Sequence, residues 1–337
     1  MDVRRIEVGE GERLRAIRLA ALRDAPGAFG ATEAGDAARP PRDWDMLGGG
    51  PGAVFVARRP RRSDWEGMAG VHLPEDGGAK LWGMWVAPSA RGRGLGSALA
   101  RAVIGWTRDR ALERLTLSVS DAATGAERLY RTLGFARTGV ARPLESNPSL
   151  TQHELALELE PPERRLETAR LLIRPFEPGD LAAAHALRSS EGVVRWLYEN
   201  PATEAESRAR LQRRIHATRF ARTGDAIGLA VVHDGTLVGD LSLFLSSAEH
   251  RQGEIGFLFD PSHQGRGYAT EAAGALLELA LGTFGLHRIA GRAEARNAAS
   301  VRVMEKLGMR REAHLVENEL VKGEWQSEVV YALRAES

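Results

Sequence analysis

The stretch ARGRGLGSAL at residues 90–99 places three glycines at alternate positions directly before an apolar stripe with helical spacing. A second stretch, HQGRGYATEA at residues 263–272, has nearly the same pattern. A turn of this kind between a strand and a helix directs several backbone N–H groups toward one point, at the positive end of the helix dipole. Glycine is required where φ is positive or where a side chain would hold a ligand away. The two stretches therefore predict two anion sites, each suited to a phosphate.

The sequence around the two turns is also repeated. Residues 81–96 align with residues 254–269 at an offset of 173, and residues 129–135 align with 303–309 at an offset of 174. Self-similarity over this length indicates that one architecture is used twice. The 337 residues suit two domains, and adjacent prolines with charged residues mark a linker between them. We predict domains at residues 1–160 and 169–337, joined by a linker at 161–168.

Both copies show the same order of elements. Residues with alternating or β-branched character come early in each copy, and the glycine turn follows the fourth predicted strand. In the first copy the predicted strands are 2–8, 52–59, 67–73, 80–88, 114–120 and 153–160, and the predicted helices are 11–22, the segment from Leu95, and 123–134. Consecutive strands followed by strand–helix alternation predict an α/β fold of the mixed α+β kind. Each domain should hold a mixed, mostly antiparallel sheet flanked by helices.

Composition excludes several classes of protein. The chain has no cysteine, so disulfides and a thiol nucleophile are excluded, and its nine histidines lack the spacing of a metal site. A net charge of +1 argues against a nucleic-acid partner. No apolar run approaches the roughly 20 residues that cross a bilayer, so we expect no membrane partner and a cytoplasmic protein.

Two nucleotide-binding motifs fit the glycine turns poorly. A Walker loop needs a lysine, and neither turn contains one. A dinucleotide fold places GxGxxG after its first strand, whereas these turns read GxGxG and GxGxA and follow the fourth predicted strand.

The segment from Arg91 to Gly96 resembles the R/Q-x-x-G-x-G/A pyrophosphate signature of the GNAT superfamily of N-acetyltransferases, and the segment from Gln264 to Ala269 matches it again. The segments LYRTLGF (129–135) and VMEKLGM (303–309) lie where that superfamily has a related motif. The second copy resembles the RimJ/RimL-type ribosomal-protein acetyltransferases through ETARLLIRPF, GEIGFLFDPSHQGRGYATEA and NAASVRVMEKLGM. The resemblance covers nearly the whole chain, loosely over 20–65.

The resemblance implies acetyl-CoA as cofactor. The glycine turns would hold the pyrophosphate, and the strand before each turn would pair its backbone with the pantetheine arm. One strand N–H would also stabilise the developing oxyanion. The cofactor-binding residues implied are Met84, Trp85, Val86, Arg91, Gly92, Arg93, Gly94, Leu95, Gly96, Ser97, Phe257, Leu258, Phe259, Gln264, Gly265, Arg266, Gly267, Tyr268, Ala269, Thr270 and Asn297.

The same resemblance implies catalytic residues that differ between the copies. In the first copy Tyr130 occupies the position of the superfamily's acid, although a tyrosine packed on a helix face is the structural alternative. Ala123 stands there in place of the usual asparagine. In the second copy Ser300 is the candidate acid, with Asn297 positioning the cofactor arm and Glu319 as candidate base. Glu254 is a second choice for the base, and the alternative for Glu319 is a solvated strand charge. No comparable base stands out in the first copy.

The function implied is direct acetyl transfer from acetyl-CoA to a primary amine, either a protein N-terminus or a small molecule. The alternative is a CoA-binding sensor or scaffold in which one or both domains lack activity. Because single-domain members of the superfamily commonly pair, we expect a monomer whose two domains form an intramolecular pseudo-dimer. The identity of the acceptor is left open by these motifs.

Overall fold

The computed structural model describes residues 1–75, 77–160, 162 and 164–335. The chain divides into two compact units, Met1–Pro161 and Pro162–Ser337. Two of the residues in the predicted linker, Pro161 and Glu163, lie outside the described residues, as do the last two of the chain. Residues 166 and 167, also in that segment, form a short strand of the second sheet.

The first unit contains one mixed sheet with helices. Its elements in chain order are β1 (Asp2–Arg5), α1 (Gly11–Asp24), α2 (Glu33–Ala37), α3 (Pro41–Gly49), β2 (Ala53–Arg58), β3 (Gly67–His72), β4 (Ala79–Val86), α4 (Leu95–Asp109), β5 (Arg114–Ser120), α5 (Thr124–Thr132), β6 (Ala136–Leu144) and β7 (Asn147–Glu158). Among the described residues the sheet has seven strands in the order β1-β2-β3-β4-β5-β7-β6. Only β4 and β5 run parallel in that part of the chain.

The second unit repeats this plan. Its elements are β8 (Leu166–Glu167), β9 (Leu172–Pro175), α6 (Leu181–Ser189), α7 (Glu191–Val194), α8 (Glu204–His216), β10 (Ala226–His233), β11 (Thr236–Ser247), β12 (Gln252–Phe259), α9 (Tyr268–Glu278), β13 (Arg288–Glu294), α10 (Ala298–Lys306), β14 (Arg310–Val321) and β15 (Glu324–Arg334). The strand order over the described residues is β14-β15-β13-β12-β11-β10-β9-β8. The predicted fold class, mixed and mostly antiparallel sheets flanked by helices, is confirmed in both units.

The helix after each glycine turn is anchored by its apolar stripe. In α4 the stripe is formed by Leu95, Leu99, Val103 and Trp106, all of them buried. In α9 the corresponding buried residues begin with Tyr268, and they pack in one core with strands β10 to β12. This packing holds the N-terminus of each helix at the end of the strand that precedes it.

The two parallel strands of each sheet separate along their length. Strands β4 and β5 pair only at Ala79 with Leu115 and at Lys80 with Thr116. Strands β12 and β13 pair from Gln252 to Ile255 and no further. The rest of β4 and β12 therefore has one edge without a strand partner in the described residues. A wedge-shaped opening results at the same place in both units.

Several elements have no counterpart in the sequence predictions. These are α2, α3, α6, α7 and α8, strand β6, and the first half of β7. Short helices such as α2 and α7 carry no full turn of apolar periodicity, so the sequence pattern is too brief to indicate them. Strand β6 is exposed along most of its length, so it lacks the apolar alternation that predicts a strand.

A buried ion-pair network stabilises the second unit beside the wedge. Asp240 on β11 accepts hydrogen bonds from Arg188 of α6 at 3.0 Å and from Arg214 of α8 at 2.8 Å. The Asp240 side chain is 7% exposed, and those of Arg188 and Arg214 are 13% and 16% exposed. One carboxylate thus pairs with two guanidinium groups and ties two helices to the sheet, and Glu199, 3.6 Å from Arg188, supplies a second negative charge.

Replacing Asp240 with alanine should lower the free energy of unfolding of the second unit by about 3–5 kcal/mol, because two buried cations lose their carboxylate. Urea unfolding followed by circular dichroism measures the change. Glu167→Ala is the control, because Glu167 and its partner Arg165 are largely exposed. That control should stay within about 0.5 kcal/mol of the unsubstituted chain. An equally small effect of Asp240→Ala would show that the network does not stabilise the unit.

Candidate active site

The glycine turns have the left-handed backbone that their sequence predicts. Gly92 and Gly94 have φ values of 70° and 84°, and Gly265 and Gly267 have values of 77° and 82°. A Cβ atom at Gly92 or Gly265 would meet no other atom within 4 Å, so these glycines face open space. Backbone conformation, and not crowding by the protein, requires glycine at these positions.

Each turn presents a row of unsatisfied backbone donors. Within the described residues, no N–H group from 92 to 97 or from 265 to 270 donates to a protein acceptor. The first helical bonds come from Ala98 and Glu271, and no side chain caps either helix at Gly94 or Gly267. Six N–H groups without a protein acceptor at a helix N-terminus are well matched to a diphosphate.

The strand edges next to the turns are open, as the resemblance implies. Met84, Trp85 and Val86 lie on the unpaired part of β4, and residues 257–259 lie on that of β12. The first residue of each pyrophosphate signature, Arg91 or Gln264, donates a hydrogen bond to the last carbonyl of the preceding strand. Arg91 donates through Nε to the Val86 carbonyl at 3.0 Å, and Gln264 donates through Nε2 to the Phe259 carbonyl at 3.2 Å.

Arg91 has a second partner that the motif did not indicate. Its guanidinium group forms an ion pair with Asp24 at the end of α1. Trp85 donates through Nε1 to the same carboxylate at 2.9 Å. Helix α1, strand β4 and the glycine turn of the first unit are thereby joined through one aspartate.

In the second unit most of the predicted residues line one cleft of about 560 Å³. The predicted residues that line it are Phe257, Leu258, Phe259, Gln264, Gly265, Gly267, Tyr268, Ala269, Thr270, Asn297 and Ser300. Arg266 is exposed and does not line this cleft, and its carbonyl accepts a hydrogen bond from Arg170 at 2.9 Å. In the first unit Arg93 is likewise exposed, Leu95 is buried, and Gly96 and Ser97 are half-buried.

The same cleft contains charged residues that the motifs did not predict. Arg302 and Lys306 of α10 line it and have no ion-pair partner among the described residues. Glu199 and Glu294 line it as well but are paired with arginines, at 2.6 Å to Arg210 and at 2.8 Å to Arg296. Arg302 and Lys306 are four residues apart and therefore share one helix face. This spacing is the feature of the sequence from which a pair of cations at the site could have been predicted. The two unpaired cations add positive charge to a site already rich in N–H donors.

Asn297 and Ser300 lie at the N-terminus of α10. The Asn297 side chain accepts a hydrogen bond from the Ser300 N–H at 3.1 Å, so Asn297 is the N-cap of the helix. The Ser300 hydroxyl has no hydrogen-bond partner among the described residues and is half-buried in the cleft. In the first unit Ala123 takes the N-cap position and provides no such bond to α5. The two copies therefore differ in the side chains at the start of this helix.

Tyr130 is buried, with 4% of its surface exposed. Its ring packs edge-on against Phe135, with 5.6 Å between the ring centroids. A Cβ atom on Gly96 would lie 3.2 Å from Leu129, so α5 packs against the first turn of α4. Burial raises the pKa of the Tyr130 hydroxyl, which keeps it protonated. At the equivalent position of the second unit, Met304 is a buried core residue.

Glu319 lies on β14, half-buried, and is not among the residues that line the cleft. Glu319 lies beside Tyr198, and Tyr198 lines the cleft. Burial, Glu319 and Glu328 together raise the pKa of Tyr198. The Tyr198 hydroxyl donates to Glu328 at 3.3 Å, and Arg292 forms an ion pair with Glu328 at 2.8 Å. Glu254, the second choice, is paired with the same Arg292 at 3.0 Å and does not line the cleft.

Comparison with protein families agrees with this geometry. Residues 170–310 match the sequence model described as the acetyltransferase (GNAT) domain, and residues 20–135 match that of the acetyltransferase (GNAT) family. The two matches fall in different structural units, each containing one glycine turn. An acyltransferase domain is thus present twice in the chain.

Individual relatives give the same result. An uncharacterized N-acetyltransferase, YnaD, of Bacillus subtilis is 33% identical over 171 residues, which is 51% of this chain and 97% of the relative. Spermidine N(1)-acetyltransferase of Vibrio cholerae is 27% identical over 161 residues, 47% of this chain and 89% of the relative. A solved acetyltransferase (GNAT family) from Bacillus anthracis is 34% identical, with a TM-score of 0.46 over 50% of this chain and 98% of its own. This chain belongs to the GNAT family of N-acetyltransferases, and it is an acyltransferase.

No helix among the described residues has both the length and the apolar character needed to cross a membrane. No cluster of three or more histidine or carboxylate side chains there is arranged to hold a metal ion.

The capping geometry predicts separate effects of two substitutions at Asn297. Asn297→Ala should lower the free energy of unfolding by about 1 kcal/mol because the N-cap bond is lost. Asn297→Asp keeps the capping oxygen and should leave stability unchanged, but it removes the amide donor and should weaken acetyl-CoA binding. Thermal unfolding and calorimetry measure the two quantities. As the reverse control, Ala123→Asn should stabilise the first unit by up to about 1 kcal/mol. Equal stability losses for the alanine and aspartate variants would contradict the capping role.

Proposed function

We propose that the chain is an acetyl-CoA-dependent N-acetyltransferase that transfers an acetyl group directly to a primary amine, with the second unit active. One observation carries the proposal: the free N–H groups of the turn, the open edge of β12 and the Ser300 hydroxyl meet in one cleft. The acceptor is a protein N-terminus or a small-molecule amine. Relatives named as spermidine acetyltransferases support an amine acceptor.

The residues present are suited to acetyl-CoA. The N–H groups of 265–270 would hold the diphosphate, and Arg302 and Lys306 supply positive charge for the remaining phosphate. The unpaired backbone of 257–259 would pair with the amides of the pantetheine arm in the manner of an added strand. When bound, acetyl-CoA supplies an acetyl group activated as a thioester.

Two hydroxyl groups are the proposed proton donors. In the second unit Ser300 is in the cleft with its hydroxyl uncommitted, so it is free to donate a proton to the departing sulfur. If the first unit is also active, Tyr130 would serve this purpose there, since its raised pKa keeps the proton on the oxygen until negative charge develops nearby. The two units use different acids because the tyrosine position of the second unit is the buried Met304.

Glu319 is the proposed proton acceptor of the second unit, acting through Tyr198. Tyr198 lines the cleft and lies beside both Glu319 and Glu328. A proton leaving the amine would pass to the Tyr198 oxygen, and the Tyr198 hydroxyl, which donates to Glu328 before the reaction, would turn and pass its own proton to Glu319. Glu328 is less suitable for this role because it is buried against Arg292. Glu319 would thus receive the proton of the amine only through Tyr198.

A CoA-binding sensor without catalysis is the alternative function. The free Ser300 hydroxyl in the cleft favours catalysis in the second unit. In the first unit, the uncapped N-terminus of α5 at Ala123 is the observation that favours binding alone.

The unit-specific role of the glycine turns is testable by substitution. Full-length chain should bind two acetyl-CoA molecules by calorimetry, and Gly94→Val or Gly267→Val should each remove one site. A side chain at these positions would block approach to the N–H groups and strain a left-handed backbone.

The matched control is Gly323→Val, because Gly323 has a φ of 86° and lies in the β14–β15 turn. That variant carries the same backbone strain and should keep both sites. Two intact sites in Gly94→Val or Gly267→Val would show that the turns serve only to connect strand and helix.

Removing the Ser300 hydroxyl should affect turnover and not binding. In a Gly94→Val background, Ser300→Ala should lower kcat about 10²–10⁴-fold, the range of general acid–base catalysis, with acetyl-CoA affinity near normal. Thiol release against a panel of amines and calorimetry are the measurements. Ser262→Ala, on the exposed turn before α9, is the control and should leave kcat unchanged. Weakened acetyl-CoA binding by Ser300→Ala would reassign Ser300 as a cofactor contact.

A further inference from the structure

The turn that joins β8 to β9, residues 168–171, is bound to the first turn of helix α9. Glu271, the fourth residue of α9, accepts hydrogen bonds from the Thr168 hydroxyl at 2.6 Å and from the Arg170 N–H at 2.9 Å. The Arg170 guanidinium group donates to the same carboxylate through Nε at 2.8 Å. Strands β8 and β9 pair antiparallel, so residues 168–171 are the tip of a hairpin. Glu271 therefore fastens this hairpin to the helix that begins at the glycine turn.

Arg170 also contacts the glycine turn itself. Its Nη1 donates to the carbonyl oxygen of Arg266 at 2.9 Å, and a Cβ atom on Gly267 would lie 3.4 Å from its Nη2. Its guanidinium group lies 4.8 Å from the ring centroid of Tyr268, the first residue of α9. His233 Nδ1 donates to the Arg170 carbonyl at 3.1 Å. Arg170 is thus fixed at both its backbone and its side chain, and its guanidinium group lies along the glycine turn.

The bond to the Arg266 carbonyl determines where the next N–H group points. A trans peptide unit is planar, so the carbonyl of Arg266 and the N–H of Gly267 point in opposite directions. Arg170 holds the carbonyl on its own side, and the Gly267 N–H donates to no acceptor among the described residues. A rotation of this peptide plane would turn the carbonyl oxygen toward a bound anion in place of the N–H donor. Arg170 therefore opposes a rotation that would disrupt the anion site.

This network acts from outside the cleft. Thr168, Arg170 and Glu271 do not belong to the described residues that line it. Although burial acts in the opposite direction, hydrogen bonds from Thr168 and Arg170 lower the pKa of Glu271, which keeps this carboxylate ionised. An unpaired carboxylate so near the glycine turn would repel a diphosphate, and the ion pair with Arg170 at 2.6 Å offsets that repulsion.

At the corresponding positions the first unit has apolar side chains. With the offset of 173 that relates the two glycine turns, Ala98 stands at the position of Glu271. The side chain next to Gly94 is that of Met1, whose Cε would lie 3.0 Å from a Cβ atom on Gly94. Neither Ala98 nor Met1 carries a side-chain donor for a carbonyl of the turn. The ion pair at the glycine turn therefore distinguishes the second unit from the first.

We propose that Arg170, held by Glu271, is a positioning residue that orients the glycine turn of the second unit for the diphosphate of acetyl-CoA. This rests on the proposed function in one respect, that the turn binds the diphosphate. Arg170 acts on the ligand through the backbone of residues 266 and 267 and is not a catalytic residue. Because a turn that is oriented before binding loses less free energy when the anion arrives, the network strengthens binding and does not accelerate the chemical step.

Binding of CoA to the second unit tests the role of Arg170. In a Gly94→Val background, which keeps the second glycine turn intact, Arg170→Met should weaken CoA binding about tenfold because the Arg266 carbonyl loses its donor. Calorimetry on the full chain measures both the affinity and the number of sites, and the number should not fall. An unchanged affinity would overturn the proposal. A smaller number of sites with unchanged affinity would also overturn it, since that is the result of partial unfolding.

Glu271→Ala separates orientation from charge. This variant removes a negative charge near the diphosphate, so electrostatics alone would strengthen CoA binding. If Arg170 acts by orienting the turn, the loss of its anchor should instead weaken CoA binding by about threefold or more. Tighter or equal binding would contradict the positioning role. If either Arg170→Met or Glu271→Ala fails to fold, the other variant decides the question.

The matched controls come from another ion pair of the same unit. Asp225 accepts from two backbone N–H groups and pairs with Arg219, much as Glu271 accepts from the N–H and the side chain of Arg170. Arg219 and Asp225 are also outside the described residues that line the cleft. Arg219→Met and Asp225→Ala should therefore leave the CoA affinity unchanged, even where they lower stability. Weakening equal to that of the Arg170 and Glu271 variants would show that lost stability, and not lost orientation, is the cause.

Steady-state kinetics on the same samples separates this proposal from the proposed function. With an amine that the chain acetylates, the loss of kcat/KM in Arg170→Met should come mainly from a KM for acetyl-CoA that is raised about tenfold. A loss mainly in kcat would overturn the positioning role. Weaker CoA binding by the variants of a chain that acetylates no amine would support the role of Arg170 and reject the transferase. Equal CoA binding by all variants of an active chain would reject the role of Arg170 and leave the proposed function in place.

Discussion

The separation of the two parallel strands in each sheet is the constraint on which the rest of the site depends. Where β12 leaves β13 after Ile255, and where β4 leaves β5 after Lys80, one strand edge loses its partner. Unpaired backbone groups inside a fold are costly unless another molecule satisfies them. The glycine turn follows directly at the end of that edge and adds a second set of unsatisfied N–H groups. The open strand edge and the free N–H groups therefore favour the same ligand, a long molecule that contains both amides and a diphosphate.

The fold maintains these open groups by fixing what surrounds them. Arg91 and Gln264 bind the last carbonyl of their strands, so the turn cannot drift away from the strand end. The apolar stripe of the following helix holds the other side of the turn in the core. This rigidity matters because a preorganised cradle of N–H groups loses little free energy on binding an anion.

The two copies share this frame and differ in the groups that would perform chemistry. At the start of the helix that follows β5 in one copy and β13 in the other, Asn297 caps α10 while Ala123 leaves α5 uncapped. Two turns later the buried residue is Tyr130 in one copy and Met304 in the other. The proposed proton donor is consequently Tyr130 in the first unit and Ser300 in the second. At its cleft the second unit also places Tyr198 beside two glutamates.

The sequence by itself determined the duplication, the mixed sheets and the position of both glycine turns, because each depends on local spacing that survives in a linear pattern. It also indicated Asn297 and Ser300, which are three residues apart and thus share a helix face. Other features were decided only by tertiary structure. Tyr198 meets Glu319 across more than a hundred residues, and Arg170 meets Glu271 across a similar length of chain. No periodicity links such residues, since their proximity arises from how helices pack on a sheet and not from any spacing along the chain.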